Sequence, residues 1–155
     1  MIVDNEAFFE TVIALLREGQ TVTIPVKGDS MLPFIKGGAD SVVLEGIEEG
    51  SASGEQRSKA RVGDIVLFKD GGRFIVHRIL RIRDGGMAEI QGDGILKDRD
   101  FCPPDRVFGR VVTILKSGER PVDVTSSSYR LKVRIWLVLK PFRRILLRLC
   151  RCLSR

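Results

Sequence analysis

One serine and one histidine carry the chemistry this sequence could perform. Ser30 lies in KGDSMLPFIKGG (27–38), after a Gly28-Asp29 pair and before the apolar Met31, Leu32 and Phe34, a stretch broken by Pro33. A hydroxyl presented at a tight turn and anchored from below is suited to nucleophilic attack, provided a neighbour accepts its proton. The chain holds a single histidine, His77, in FIVHRIL. Strand alternation puts Ile75, His77 and Ile79 on one face, with Val76 and Arg78 on the other. An imidazole among isoleucines needs a polar partner, and the serine hydroxyl is a natural one. The bland alternative is a packed strand histidine and an ordinary surface turn.

The elements that must bring these residues together are mostly short strands. Runs rich in Val and Ile occupy 21–26, 40–44, 64–68, 73–83, 87–91 and 107–115, separated by turns such as Asp70-Gly71-Gly72 and Asp84-Gly85-Gly86. This spacing predicts a mainly β fold of coiled, mostly antiparallel sheets and not a βαβ layout. Ahead of them, residues 5–18 place Phe9, Val12, Ile13 and Leu16 on one helical face, with Gly19 as the stop. Residues 45–62 contain little apolar material and predict a flexible insert. The expected organisation is an N-terminal amphipathic helix over 1–20, a β domain over 21–125 and a basic helical tail over 126–155.

Composition bounds the function classes. A chain of 155 residues, 43% hydrophobic and 30% charged, suits one well-buried domain and argues against wholesale disorder. Cys102, Cys150 and Cys152 form no disulfide framework, so a reducing compartment is expected, and Cys150-Arg-Cys152 lacks a second ligand cluster for a metal. The net charge of +6 is uneven: nine Lys or Arg and no acidic residue follow from Arg130 onward, leaving 17 basic against 20 acidic residues before it. The start, MIVDNEAFFE, has no positive region or long apolar core, and no run of 18 uncharged apolar residues occurs.

The tail interleaves Leu, Ile, Trp136 and Phe142 with arginines, and predicts helices on both sides of Pro141. Ile145, Leu146 and Leu149 share a face, while Arg144, Arg148, Arg151 and Arg155 form a row. Three roles compete for it: a cover for the body's apolar surface, an anionic-membrane contact through 130–155, and a nucleic-acid arm, the last disfavoured. On this reading the tail is separable, and deletion after Tyr129 is expected to spare peptide cleavage.

Five boxes follow one another in order: GDSMLPFI, GDIVLF, FIVHRIL, IQGDGILKDRD and DRVFGRVV. Together, over about residues 24–114, they resemble the signal peptidase I and LexA-like clan of serine peptidases. The closest likeness is to the Ser-His branch of archaeal and endoplasmic-reticulum-type signal peptidases. The resemblance implies the β-ribbon fold of that clan, Ser30 as nucleophile and His77 as general base, where bacterial signal peptidases and LexA-type proteins use lysine. It implies an aspartate orienting His77. QGDGILKDRD offers Asp93, Asp98 and Asp100, with Asp98 preferred and Asp93 as a structural or electrostatic partner. It further implies substrate contacts at Gly28, Asp29, Met31 and Pro33, and a peptide or protein substrate lying as an added strand along TVTIPV and part of RFIVHRIL. The Ser30 N–H would hold the oxyanion, Gly28 standing where some relatives carry a hydroxyl. No cofactor or metal is implied.

The sequence departs from that pattern in three places. Only the helix of 5–18 precedes the serine box, where signal peptidases carry a membrane anchor. The segment between SMLPFIKGG and GDIVLF is an insertion, expected to add a strand and a flap, and the basic tail has no counterpart. These departures point to a cytoplasmic peptidase, peripheral at the inner face of a membrane, and away from the processing of exported preproteins. Two other readings stand beside it: a self-cleaving regulator of LexA or UmuD type, and a catalytically silent relative that binds peptides or membranes. A repressor would need an N-terminal DNA-binding domain, for which the region before Thr21 is too short.

Overall fold

Helix α1 (Asn5–Arg17) turns Val12 and Leu16 fully inward, with Phe9 packed beside them. It ends where expected: Gly19 adopts a left-handed φ of 82°, and the Gln20 N–H reaches back 3.0 Å to the Leu15 carbonyl. The computed structural model describes residues 5–47 and 60–153. The insert expected over 45–62 therefore falls largely outside the described residues.

Eight strands follow: β1 (Val22–Pro25), β2 (Ser41–Gly46), β3 (Ile65–Asp70), β4 (Arg73–Ile82), β5 (Ala88–Gln91), β6 (Asp100–Cys102), β7 (Val107–Leu115) and β8 (Val122–Asp123). They form one sheet in the order β1-β2-β7-β3-β4-β5-β6, with β8 added to β7, and every pairing is antiparallel. Register shifts at Val43/Leu44, Leu67/Phe68 and Ile79/Arg81 accompany the curl of the sheet into a half-barrel. The mainly β, antiparallel class read from the Val/Ile runs is the class observed. Strand β2 supplies a strand at the start of the insertion, whereas β6 and β8 correspond to no predicted run.

Curling gives the sheet two cores. On one face α1, β1 and the turn after β1 bury Ile24, Met31, Ile35, Leu44, Leu67 and Ile114. On the other, Val66, Phe68, Ile79, Ile90, Cys102 and Val107 pack on one another. Strand β3 consequently buries Ile65, Val66, Leu67 and Phe68 in succession, a continuous apolar run in place of one-sided alternation. Each such side chain contributes about 1.5–3 kcal/mol on leaving water.

The tail is part of this body. Helix α2 (Ser127–Val138) starts at Ser126, whose hydroxyl accepts the Tyr129 N–H, and buries Tyr129, Val133 and Trp136. A single 3-10 turn over Lys140–Phe142, at Pro141, leads into α3 (Arg143–Leu153). Leu147 of α3 then packs with Trp136 and with Leu32 from the serine turn. The helix, break, helix pattern is as expected. The shared face is not: Leu146 joins the Leu147 cluster, whereas Ile145 and Leu149 stay exposed. Arg155 of the predicted basic row lies outside the described residues. No helix among the described residues is long and apolar enough to cross a membrane.

Candidate active site

Three elements converge on one imidazole. Ser30 opens the helical turn that follows β1, and its Oγ lies 3.0 Å from His77 Nε2 on β4. On the other side of the ring, His77 Nδ1 lies 3.1 Å from Asp100 Oδ2, at the first residue of β6. With Nδ1–H donated to the Asp100 carboxylate, Nε2 is left as the acceptor for the Ser30 hydroxyl. The pairing of Ser30 with His77, across 47 residues of chain, is the juxtaposition that the sequence suggested.

The carboxylate that meets the imidazole is Asp100, not the Asp98 expected there. Asp98 is exposed in the loop between β5 and β6, where its carbonyl accepts a hydrogen bond from Gln91 Nε2. Register explains why Asp100 takes the role. Ile79 of β4 pairs with Ile90 of β5, which pairs with Asp100 of β6. Cross-strand neighbours share a face, and His77 shares that face with Ile79 by alternation. Asp98 precedes the strand and belongs to no such row.

Asp93 is a structural partner. It is 3% exposed and receives Arg78 Nε and Nη2 at 2.8 and 2.7 Å. Arg78, on the opposite face of β4 from His77, also donates to the Gly63 carbonyl and to the Tyr129 hydroxyl, and lies over the Phe34 ring. Burial works against the guanidinium charge, but the adjoining Asp93 carboxylate more than offsets it, so the Arg78 pKa is raised. The Trp136 indole N–H donates to the Asp93 carbonyl at 3.0 Å. Thus α2 holds the loop that borders the serine.

The two glycines of the Gly92-Asp93-Gly94 loop stand where a Cβ would collide with the backbone of the serine turn. The Gly94 N–H donates to the Ser30 carbonyl at 2.8 Å. A Cβ on Gly92 would collide with the Ser30 carbonyl oxygen and come within 3.0 Å of His77 Nε2. On the near side, Gly28 adopts a φ of 76°, the left-handed conformation that turns the chain from β1 toward Ser30.

Electrostatics favour a neutral base. Burial, the dominant influence, pushes the His77 pKa down; the hydrogen bond and charge of Asp100, then the charge of Asp93, push partly back. The net shift is downward, which favours the neutral imidazole. Cys102, the last residue of β6, has its thiol pKa raised to about 11, chiefly by burial, and is a packing residue.

A groove of about 640 Å³ opens at Ser30. Its walls are β1 with Val26, Lys27 and Gly28, the start of β4 from Arg73 to Val76, and Phe8 and Phe9 of α1. Both strands offer backbone. β1 is an edge of the sheet, and β5 pairs with β4 only from Arg78 onward, leaving Arg73–His77 unpaired on that side among the described residues. Of the residues expected to touch substrate, Gly28 lines the groove. Asp29 is exposed and closes the serine turn by accepting the Leu32 N–H. Met31 is 1% exposed in the core, because the turn points it inward, and Pro33 does not line the groove. Met31 anchors the turn from below. The signal the sequence reading lacked was α1: nothing in its amphipathic face shows that Phe8 and Phe9 wall the groove.

Neither comparison named a relative. No family model matches the chain, and no curated protein matches it.

Proposed function

We propose that the chain is a serine endopeptidase whose nucleophile is Ser30, whose general base is His77, and whose orienting acid is Asp100. One observation carries this reading: the continuous contact Ser30 Oγ–His77–Asp100, with 3.0 and 3.1 Å links, at the end of an open groove. The order of the five sequence boxes, which resembles the signal peptidase and LexA-like clan, supports the same reading. So do the two unpaired strand edges, because an extended peptide gains backbone hydrogen bonds by adding itself to such an edge.

The chemistry follows from the geometry. As Ser30 Oγ bonds to a peptide carbonyl carbon, its proton passes to His77 Nε2, and the imidazolium is steadied by Asp100. The Ser30 N–H, which makes no backbone hydrogen bond among the described residues, is a donor for the developing oxyanion. His77 then protonates the leaving amine as the C–N bond breaks. Water, deprotonated by the same nitrogen, releases the acyl group and restores the serine. Metal and cofactor have no part in this sequence of steps.

Hydrolysis of a mixed peptide library, read by mass spectrometry, tests the proposal. Wild type is expected to cleave a defined subset, and Ser30→Ala and His77→Ala to cleave none while keeping their thermal midpoints within a few degrees. Cleavage that survives either substitution would contradict the mechanism. Loss of intact mass by the chain alone, absent in Ser30→Ala, would redirect the activity to self-processing.

A further inference from the structure

Both tail helices are apolar on two opposite faces. Along α2, Tyr129, Val133 and Trp136 turn inward, while Leu131, Ile135 and Val138 line the reverse side at spacings of four and three, 52–80% exposed. Along α3, Arg143 and Leu147 are buried, while Ile145 and Leu149 on the other side are 61% and 55% exposed. Phe142, in the turn between them, is 58% exposed. Six of the twelve exposed large apolar side chains among the described residues thus project from this one short stretch. A helix that needed only to cover the body would be polar on its reverse.

Cations flank this surface. Lys132, Arg134, Arg144 and Arg148 are exposed, and none forms a salt bridge among the described residues. No Asp or Glu occurs after Asp123. That charge pattern selects the occupant. A second copy docked through the same face would bring like charges together without a carboxylate to meet them. Nucleic acid would use the cations and leave the apolar side chains in water. An anionic lipid surface satisfies both, taking the apolar side chains at the acyl boundary and the cations at the headgroups.

We infer that the outer face of the α2–α3 pair docks on an anionic membrane surface, with the helices lying along it and the inner face bracing the serine and Asp93 turns. The inference is independent of the peptidase reading, since binding can be measured with no substrate.

Co-sedimentation of the full chain with vesicles tests it, comparing pure phosphatidylcholine with vesicles containing about one-third phosphatidylglycerol. Expected are binding to the anionic vesicles, at least roughly tenfold weaker binding to the neutral ones, and weakening by salt. A combined Ile135→Ser, Ile145→Ser, Leu149→Ser variant should lose at least about tenfold in affinity for anionic vesicles. All three side chains are exposed, so its fold and its circular dichroism should match wild type. Arg144→Glu with Arg148→Glu should lose affinity and most of the salt dependence. Failure of wild type to bind anionic vesicles, or equal binding by the triple serine variant, would overturn the inference. So would a dimer that the serine variant dissolves, or duplex DNA binding with no vesicle binding.

Discussion

At the residue scale the chain separates two aspartates that its sequence makes hard to tell apart. Asp100 touches the imidazole, and Asp93 neutralises a buried arginine. Asp100→Asn should therefore lower kcat/KM by roughly 10²–10⁴ with little change in thermal midpoint, since the ring loses its orienting acceptor. It should also move the acid limb of the pH–rate profile further down, because the Asp100 interactions are what raise the His77 pKa against burial. Asp98→Asn should behave like wild type. Asp93→Ala should instead lower the thermal midpoint by roughly 6–20 °C, the consequence of stranding the Arg78 charge at a cost of about 3–5 kcal/mol. Steady-state kinetics and calorimetry on the three variants distinguish the roles.

At the element scale the strands and helices were mostly legible. The reason is that Val/Ile runs, Gly turns and a 3.6-residue apolar period are local signals. Strand β6 was not, being three residues long and carrying only the brief Asp100-Phe101-Cys102 alternation. Without that strand, nothing in the local pattern singles out Asp100 over Asp98 as the carboxylate that faces His77. The tail shows a second limit. Its helices were readable from Pro141 and the apolar spacing, but Tyr129 and Trp136 gave no hint that they reach Arg78 and Asp93. Removal of residues 127–155 should consequently lower both stability and peptide cleavage, the reverse of a separable appendage. Trp136→Phe, which keeps the packing and loses one hydrogen bond, should cost about 1 kcal/mol, or 2–4 °C in thermal midpoint. Gly92→Ala should reduce kcat/KM at least about a hundredfold, because its methyl would displace Ser30 or His77 from reactive alignment.

At the scale of the whole molecule, one curled sheet brings together residues from its first turn, its fifth-placed strand and its far edge. The site thus reports on the global fold, and its protonation is linked to stability. His77 has a folded pKa below the unfolded value, so between those two values the unfolded chain binds a proton that the folded chain refuses. Stability should fall as pH drops through the ordinary imidazole range toward the lowered one, and His77→Gln should flatten that part of the profile. Thermal unfolding across the range, wild type against variant, measures the difference.

The most direct measurement is covalent labelling with a fluorophosphonate, mapped by peptide mass. The reagent requires a serine activated by a neighbouring base. Wild type should gain one adduct, on Ser30, at a rate that falls as acid protonates His77, and His77→Ala should gain none. An unlabelled Ser30, or labelling at an unchanged rate without His77, would contradict a serine activated by this histidine.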